Sequence, residues 1–169
     1  MNLDPRLGPH EILAVAIRSE IEAADFYAKL KQRAKNKILQ EKLKFLVLEE
    51  EHHRKILEML FSQRFRERKL ELPEKSFLAP SSISLEGEFS VLDLFKEALK
   101  AEKMSEEFYK EAREGAEDKT SQKMLEYLSR VERSHYFLIR SEIGLLSKFP
   151  DYYDVGDFHL GHEMVHLGP

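Results

Sequence analysis

The chain of 169 residues, 34% charged and 42% hydrophobic, is long enough for one domain with a substantial core. It contains no Cys, which excludes disulfide scaffolds, thiolate-held zinc or iron–sulfur sites and cysteine nucleophiles, so any metal must be held by nitrogen and oxygen. A formal charge of -4, from 27 basic and 31 acidic residues, gives no footprint for nucleic acid or an anionic membrane; with no membrane-length apolar run and no leader-like start, the expected compartment is the cytoplasm.

Gly8-Pro9 is a helix-entry signal, and Leu13, Ala16, Ile17, Ala23, Ala24, Tyr27 and Leu30 then fall at the spacing of a buried helical stripe, predicting a first helix over about 10–34. A second stripe, Leu39, Leu43, Leu46, Ile56, Leu57 and Leu60, starts just after Asn36, a candidate N-cap, and runs to the basic stretch from Arg64 to Lys69. Pro73, Pro80, Ser81, Ser82, Ser84 and Gly87 break the pattern over about 71–89, which reads as an ordered connection. Ser90-Val91-Leu92-Asp93 looks like a capping box opening a third helix, with Phe95, Ala98, Leu99, Phe108, Tyr109 and Ala112 on its apolar face and an end near Gly115. Leu125, Leu128, Ile139 and Ile143 define a fourth helix from about Thr120 to Gly144. These elements predict an all-α, antiparallel four-helix bundle of two hairpins over about 10–146, a single domain spanning 1–169, with an irregular tail from about 147.

The two hairpins repeat at an offset of 82 residues: Phe26 maps to Phe108, Tyr27 to Tyr109, Leu43 to Leu125, Leu46 to Leu128 and Leu57 to Ile139. Three ionisable residues per half also match, at positions where the stripes predict core: Glu20 with Glu102, Glu50 with Glu132, and His53 with His135. Four carboxylates in one buried layer would repel and resist ionisation. Two divalent cations balance their charge, and each Glu-x-x-His spacing puts both donors of its pair on one helical face.

The segments Glu20-Ile-Glu-Ala-Ala-Asp-Phe-Tyr27, Glu49-Glu50-Glu51-His52-His53, Glu102-Lys-Met-Ser-Glu-Glu-Phe-Tyr109 and Glu132-Arg-Ser-His135 resemble the rubrerythrin-like branch of the ferritin-like superfamily. The resemblance implies two iron ions reacting with hydrogen peroxide or dioxygen, with Glu50 and Glu132 bridging and Glu20 and Glu102 terminal; the donor set also suits Mn or Zn. Many peroxide-reducing members carry a second carboxylate three residues after the one at Glu102, where this chain has Ser105. Many also carry a Cys-held rubredoxin-like iron, so a separate electron donor such as a rubredoxin-like protein is expected here. The alternative is an iron-handling protein of ferroxidase type, without small-molecule turnover.

His53 is preferred to His52 because 52 plus 82 is Ser134, so only the register through His53 repeats. Tyr27 and Tyr109 are either core residues or donors to a ligand carboxylate two turns away. Ser105 is read as a small residue giving room, His10 as solvated, and Glu22, Asp25, Glu49, Glu51 and Glu106 as outward-facing or as supports for the ligands. The tail holds His162-Glu163-Met164-Val165-His166, a zinc-peptidase pattern with little helical support between Gly161 and Gly168. Packing of the tail on the bundle or a partner subunit, through Tyr152, Tyr153, Phe158 and these histidines, is expected instead, and the whole is expected to be a homodimer or higher homo-oligomer.

Overall fold

The structure is a computed structural model describing residues 7–76, 78 and 90–153. Four helices run α1 (Pro9–Arg33), α2 (Lys37–Arg64), α3 (Val91–Glu114) and α4 (Lys119–Lys148), the all-α bundle of two hairpins that the stripes predict. Most stripe positions are buried, while Ala23, Ala24, Ile56, Leu99 and Ile143 are half-buried. Among the described residues no helix is long and apolar enough to cross a membrane.

The repeat extends into the connections between the helices of each hairpin. Asn36 caps α2 by accepting from the backbone N–H of Ile38 at 2.9 Å, and its equivalent Asp118 caps α4 by accepting from that of Ser121 at 2.8 Å. The side-chain amide of Gln40 donates to the Ala34 carbonyl at 2.7 Å, and that of Gln122 to the Ala116 carbonyl at 2.8 Å, so both hairpin turns are tied by the same device. Ser90 caps α3 by accepting from the Asp93 N–H at 3.1 Å, while Pro9 opens α1 with the Glu11 carboxylate accepting from the Gly8 N–H at 2.7 Å.

The fourth helix is longer than expected. Gly144 does not end it, because the backbone there stays helical and Leu146 two residues on is buried in the apolar core. The chain beyond Lys148 is then pinned by Tyr153, whose hydroxyl donates to Glu142, itself paired with Lys42 at 2.6 Å. Tyr153 thus packs on the bundle as expected of the tail's start, and Tyr152 is exposed. Phe158 and the sequence His162 to His166 lie outside the described residues.

Helix α1 packs along α2 and α3 along α4, and the two hairpins meet through the α1–α3 and α2–α4 seams. The apolar core is in two clusters. One gathers Leu13, Ile17, Leu57, Leu60, Phe108, Ala112, Leu125 and Leu128; the other gathers Phe26, Leu30, Leu43, Leu46, Leu94, Phe95, Ala98 and Ile139. The 82-residue offset exchanges them, since it carries Leu43 and Leu46 of one into Leu125 and Leu128 of the other. Equivalent deletions should therefore cost alike: Leu46→Ala and Leu128→Ala, both at fully buried positions, are each expected to lower stability by about 2–5 kcal/mol. Denaturant unfolding of the metal-free variants checks this, and a cost confined to one half would contradict the exchange.

Candidate metal centre

Between the two apolar clusters lies a layer of six ionisable side chains, Glu20 from α1, Glu50 and His53 from α2, Glu102 from α3, and Glu132 and His135 from α4. None is more than 3% exposed. The structure therefore brings all six sequence candidates together, and it leaves His52 exposed on the outer face of α2.

Their donor atoms fall into two groups, within each of which every atom lies within 4.8 Å of the others: Glu20, Glu50, His53 and Glu132 in one, Glu50, Glu102, Glu132 and His135 in the other. Glu50 and Glu132 belong to both groups, and Glu20 and Glu102 to one each. The Nδ1 atom of His53 lies 3.2 Å from Glu20, 3.1 Å from Glu50 and 3.0 Å from Glu132. That of His135 lies 3.4 Å from Glu50 and 3.5 Å from Glu102. Glu50 turns one carboxylate oxygen toward each imidazole, and the two rings stack with centroids 5.4 Å apart.

The tyrosines do not bond along their own helices. Tyr27 of α1 donates its hydroxyl to Glu102 of α3, and Tyr109 of α3 donates to Glu20 of α1. The antiparallel run of the two helices sets Tyr27 beside Glu102, so the neighbour across the seam is reached instead of the glutamate two turns back. Each hydrogen bond occupies Oε1 of its glutamate and leaves Oε2 facing an imidazole. Both tyrosines are buried to 1% exposure or less, so they are core residues and donors at once.

The layer fits a pair of cations on two grounds. Oε1 of Glu50, Oε2 of Glu102, Oε1 of Glu132, Nε2 of His53 and both ring nitrogens of His135 are buried without a hydrogen-bond partner, a concentration of unmet polar atoms that a protein core does not tolerate without compensation. The donor set, four carboxylates and two imidazoles, suits hard or borderline divalent metals. Without metal, protons do the balancing. Burial pushes Glu20 up to about 7, and burial reinforced by repulsion from Glu50 and Glu20 lifts Glu132 well above the carboxylate range. Burial also opposes ionisation of Glu50, but the imidazoles of His135 and His53 facing its two oxygens outweigh it and hold that carboxyl low. Burial disfavours the imidazolium forms, yet the carboxylates prevail, Glu132 foremost on His53 and Glu102 foremost on His135, which is raised to about 11. Burial and the adjacent carboxylate charge keep both phenols protonated far above the usual range, as donors must be.

Other residues fall where the sequence did not settle them. Glu49 is half-buried, with a carboxylate oxygen within 4.8 Å of a ring nitrogen of both His53 and His135, and its offset partner is Val131, so the repeat gave no signal for it. Ser105 is buried and lines a small cavity against Glu20, Glu50, Glu102 and Glu132. His10 is half-buried rather than solvated, because Phe65 meets its ring edge-on and Arg68 lies 2.9 Å from its Nε2. Asp25 and Glu51 are exposed, Glu22 pairs with Arg18, and Glu106 pairs with Lys110.

A family profile described as Rubrerythrin matches residues 11–143. Among solved structures, a hypothetical protein from Pyrococcus furiosus is similar at 33% identity and a TM-score of 0.76, over 85% of this chain and 92% of that one. CopM in its Cu(II)-bound form is similar at 11% identity and a TM-score of 0.67, over 81% of this chain and 96% of that one, a likeness of helical arrangement alone. No curated protein matches.

Two outcomes are expected of the metal-free protein. Loading must displace protons from both imidazoles and from Glu132, and a fraction of one from Glu20, so a divalent metal such as Co(II) should release roughly three protons near neutral pH and bind more tightly as pH rises. Titration calorimetry in buffers of different ionisation enthalpy measures this, and uptake without proton release would refute it. Tyr27→Phe and Tyr109→Phe should each weaken metal binding by about 10–100-fold in a chelator competition, one at each metal position.

Proposed function

The chain belongs to the rubrerythrin family, and on that premise we propose that it is a non-haem di-iron redox protein that reduces hydrogen peroxide or activates dioxygen. The observation that carries the reading is the pair of donor groups sharing Glu50 and Glu132, a geometry for two ions held side by side. Four glutamates and two imidazoles, the latter neutral once protons have left, offer -4 against +4 for two divalent ions. When bound, an iron pair supplies the two electrons that reductive cleavage of an O–O bond takes; with two protons, peroxide becomes two waters.

The chain's own residues define how that chemistry is supported. Glu50 and Glu132 each belong to both donor groups, so either carboxylate could serve both cation positions. Glu20 and Glu102 each present one oxygen inward while a tyrosine hydroxyl holds the other, which would orient the free oxygen toward a bound metal. The apolar clusters on either side keep bulk water from the layer and strengthen every charge interaction within it. Electrons return from a separate donor, such as a rubredoxin-like protein.

The test is anaerobic loading with Fe(II), followed by hydrogen peroxide or dioxygen in separate mixing experiments with absorption read in the near ultraviolet. Oxidation of two irons per chain by either oxidant, and repeated turnover when a reductant is supplied, are expected. Iron that stays ferrous with both would overturn the redox reading. Iron that accumulates beyond two per chain, with no turnover, would point to iron handling instead.

A further inference from the structure

The cavity that Ser105 lines lies at the α1–α3 seam and is bounded by the ligand glutamates on its inner side. Its volume is about 10 Å³, the space of a single water-sized molecule. Two larger cavities, of about 70 Å³ near Leu13 and Leu60 and about 360 Å³ near His10 and Arg68, touch none of the six candidate ligands.

The small cavity exists because four helical positions around it carry minimal side chains. Ser19 and Ala23 come from α1, one beside Glu20 and one three residues after it; Ala101 and Ser105 hold the corresponding places around Glu102 on α3. The 82-residue offset pairs Ser19 with Ala101 and Ala23 with Ser105, so both halves keep the seam narrow in the same places. A leucine at any of the four would fill the space. The remaining wall is Tyr27, already held by Glu102, and Leu78, 1% exposed and joined to the apolar cluster of Leu13, Ile17 and Leu57. Its placement is fixed from α1: the Leu78 N–H donates to the Ser76 hydroxyl at 3.1 Å, and the Ser76 N–H donates to Glu22 at 3.1 Å. Glu22 is held in turn by Arg18 at 2.8 Å.

We propose that Leu78, with Ser19, Ala23, Ala101 and Ser105, is a specificity-determining wall that limits the metal layer to slender oxidants, admitting hydrogen peroxide and dioxygen and excluding hydroperoxides with a bulky organic substituent. The proposal rests on the redox reading above and adds to it the substrate's permitted width. The polar members of the wall, the Ser19 and Ser105 hydroxyls, suit a small hydrogen-bonding molecule, whereas Leu78 offers a substituent neither space nor an alternative partner.

The test uses the full chain in two forms. With Co(II) in place of iron, azide should shift the visible absorption of the wild-type protein and benzoate should not; Leu78→Ala should respond to both. In the Fe(II)-loaded protein, Leu78→Ala should speed oxidation by cumene hydroperoxide by roughly 10-fold or more relative to its effect on hydrogen peroxide. Ala23→Val, which narrows the cavity without touching Leu78, should slow hydrogen peroxide while leaving the Co(II) stoichiometry unchanged, and it serves if Leu78→Ala does not fold. A wild-type Co(II) protein that binds benzoate as readily as azide, or variants that leave both selectivities unaltered, would overturn the proposal. Failure of wild-type Fe(II) protein to react with any oxidant would overturn the redox reading alone, because the anion comparison does not depend on it.

Discussion

Everything in this bundle is arranged around the mutual repulsion of four buried carboxylates. A four-helix bundle of this size can fill its interior with leucine and phenylalanine, and on both sides of the layer it does so. Within the layer it places Glu20, Glu50, Glu102 and Glu132 at no more than 3% exposure. Such a group is tolerable only when something positive, proton or metal, lies among it. The directions of the titration shifts express that need in the metal-free state: two imidazoles are held protonated and two carboxyls resist ionisation. The site is thus a set of ligands whose own electrostatics favour exchange of protons for cations.

The apolar clusters and the polar layer depend on one another. Leu46 and Leu128 pack within a turn of Glu50 and Glu132 and fix the register of α2 and α4, so the Glu-x-x-His pairs enter the interior together. The two tyrosines then carry order across the seam between α1 and α3, where helix-to-helix contact is otherwise thin. The wall of small residues beside them is the counterpart of this thinness, for the same seam that needs hydrogen bonds to join it leaves space beside the ligands.

Much of this was legible in the sequence, because a buried stripe is a strong signal and a repeat supplies it twice. The offset that pairs His53 with His135 selected the histidine that the structure buries, while the sharing of Glu50 and Glu132 between donor groups follows what the family resemblance implied. What escaped the sequence was decided by three-dimensional neighbours. Residues seven apart on one helix are two turns apart, but the antiparallel partner places a closer carboxylate opposite each tyrosine. Gly144 resembled a helix end, yet burial of Leu146 carried α4 past it. Glu49 lacked a repeat signal and Leu78 fell in the Pro- and Ser-rich connection, and only their positions against the imidazoles and the seam distinguish them from a surface charge and a connection residue.

The crossed tyrosine pairs carry one more consequence. Tyr27 does to Glu102 what Tyr109 does to Glu20, and Glu50 faces His135 as Glu132 faces His53. Such reciprocity is the mark of an isologous contact, the kind that closes a two-fold dimer of identical subunits. A lone helical hairpin bearing one Glu, one Tyr and one Glu-x-x-His would, on meeting its own copy, assemble every member of this layer. The chain is in that sense a homodimer written as a single polypeptide, whose halves differ where a strict copy would repeat: Ser105 stands against Ala23, and Glu49 against Val131.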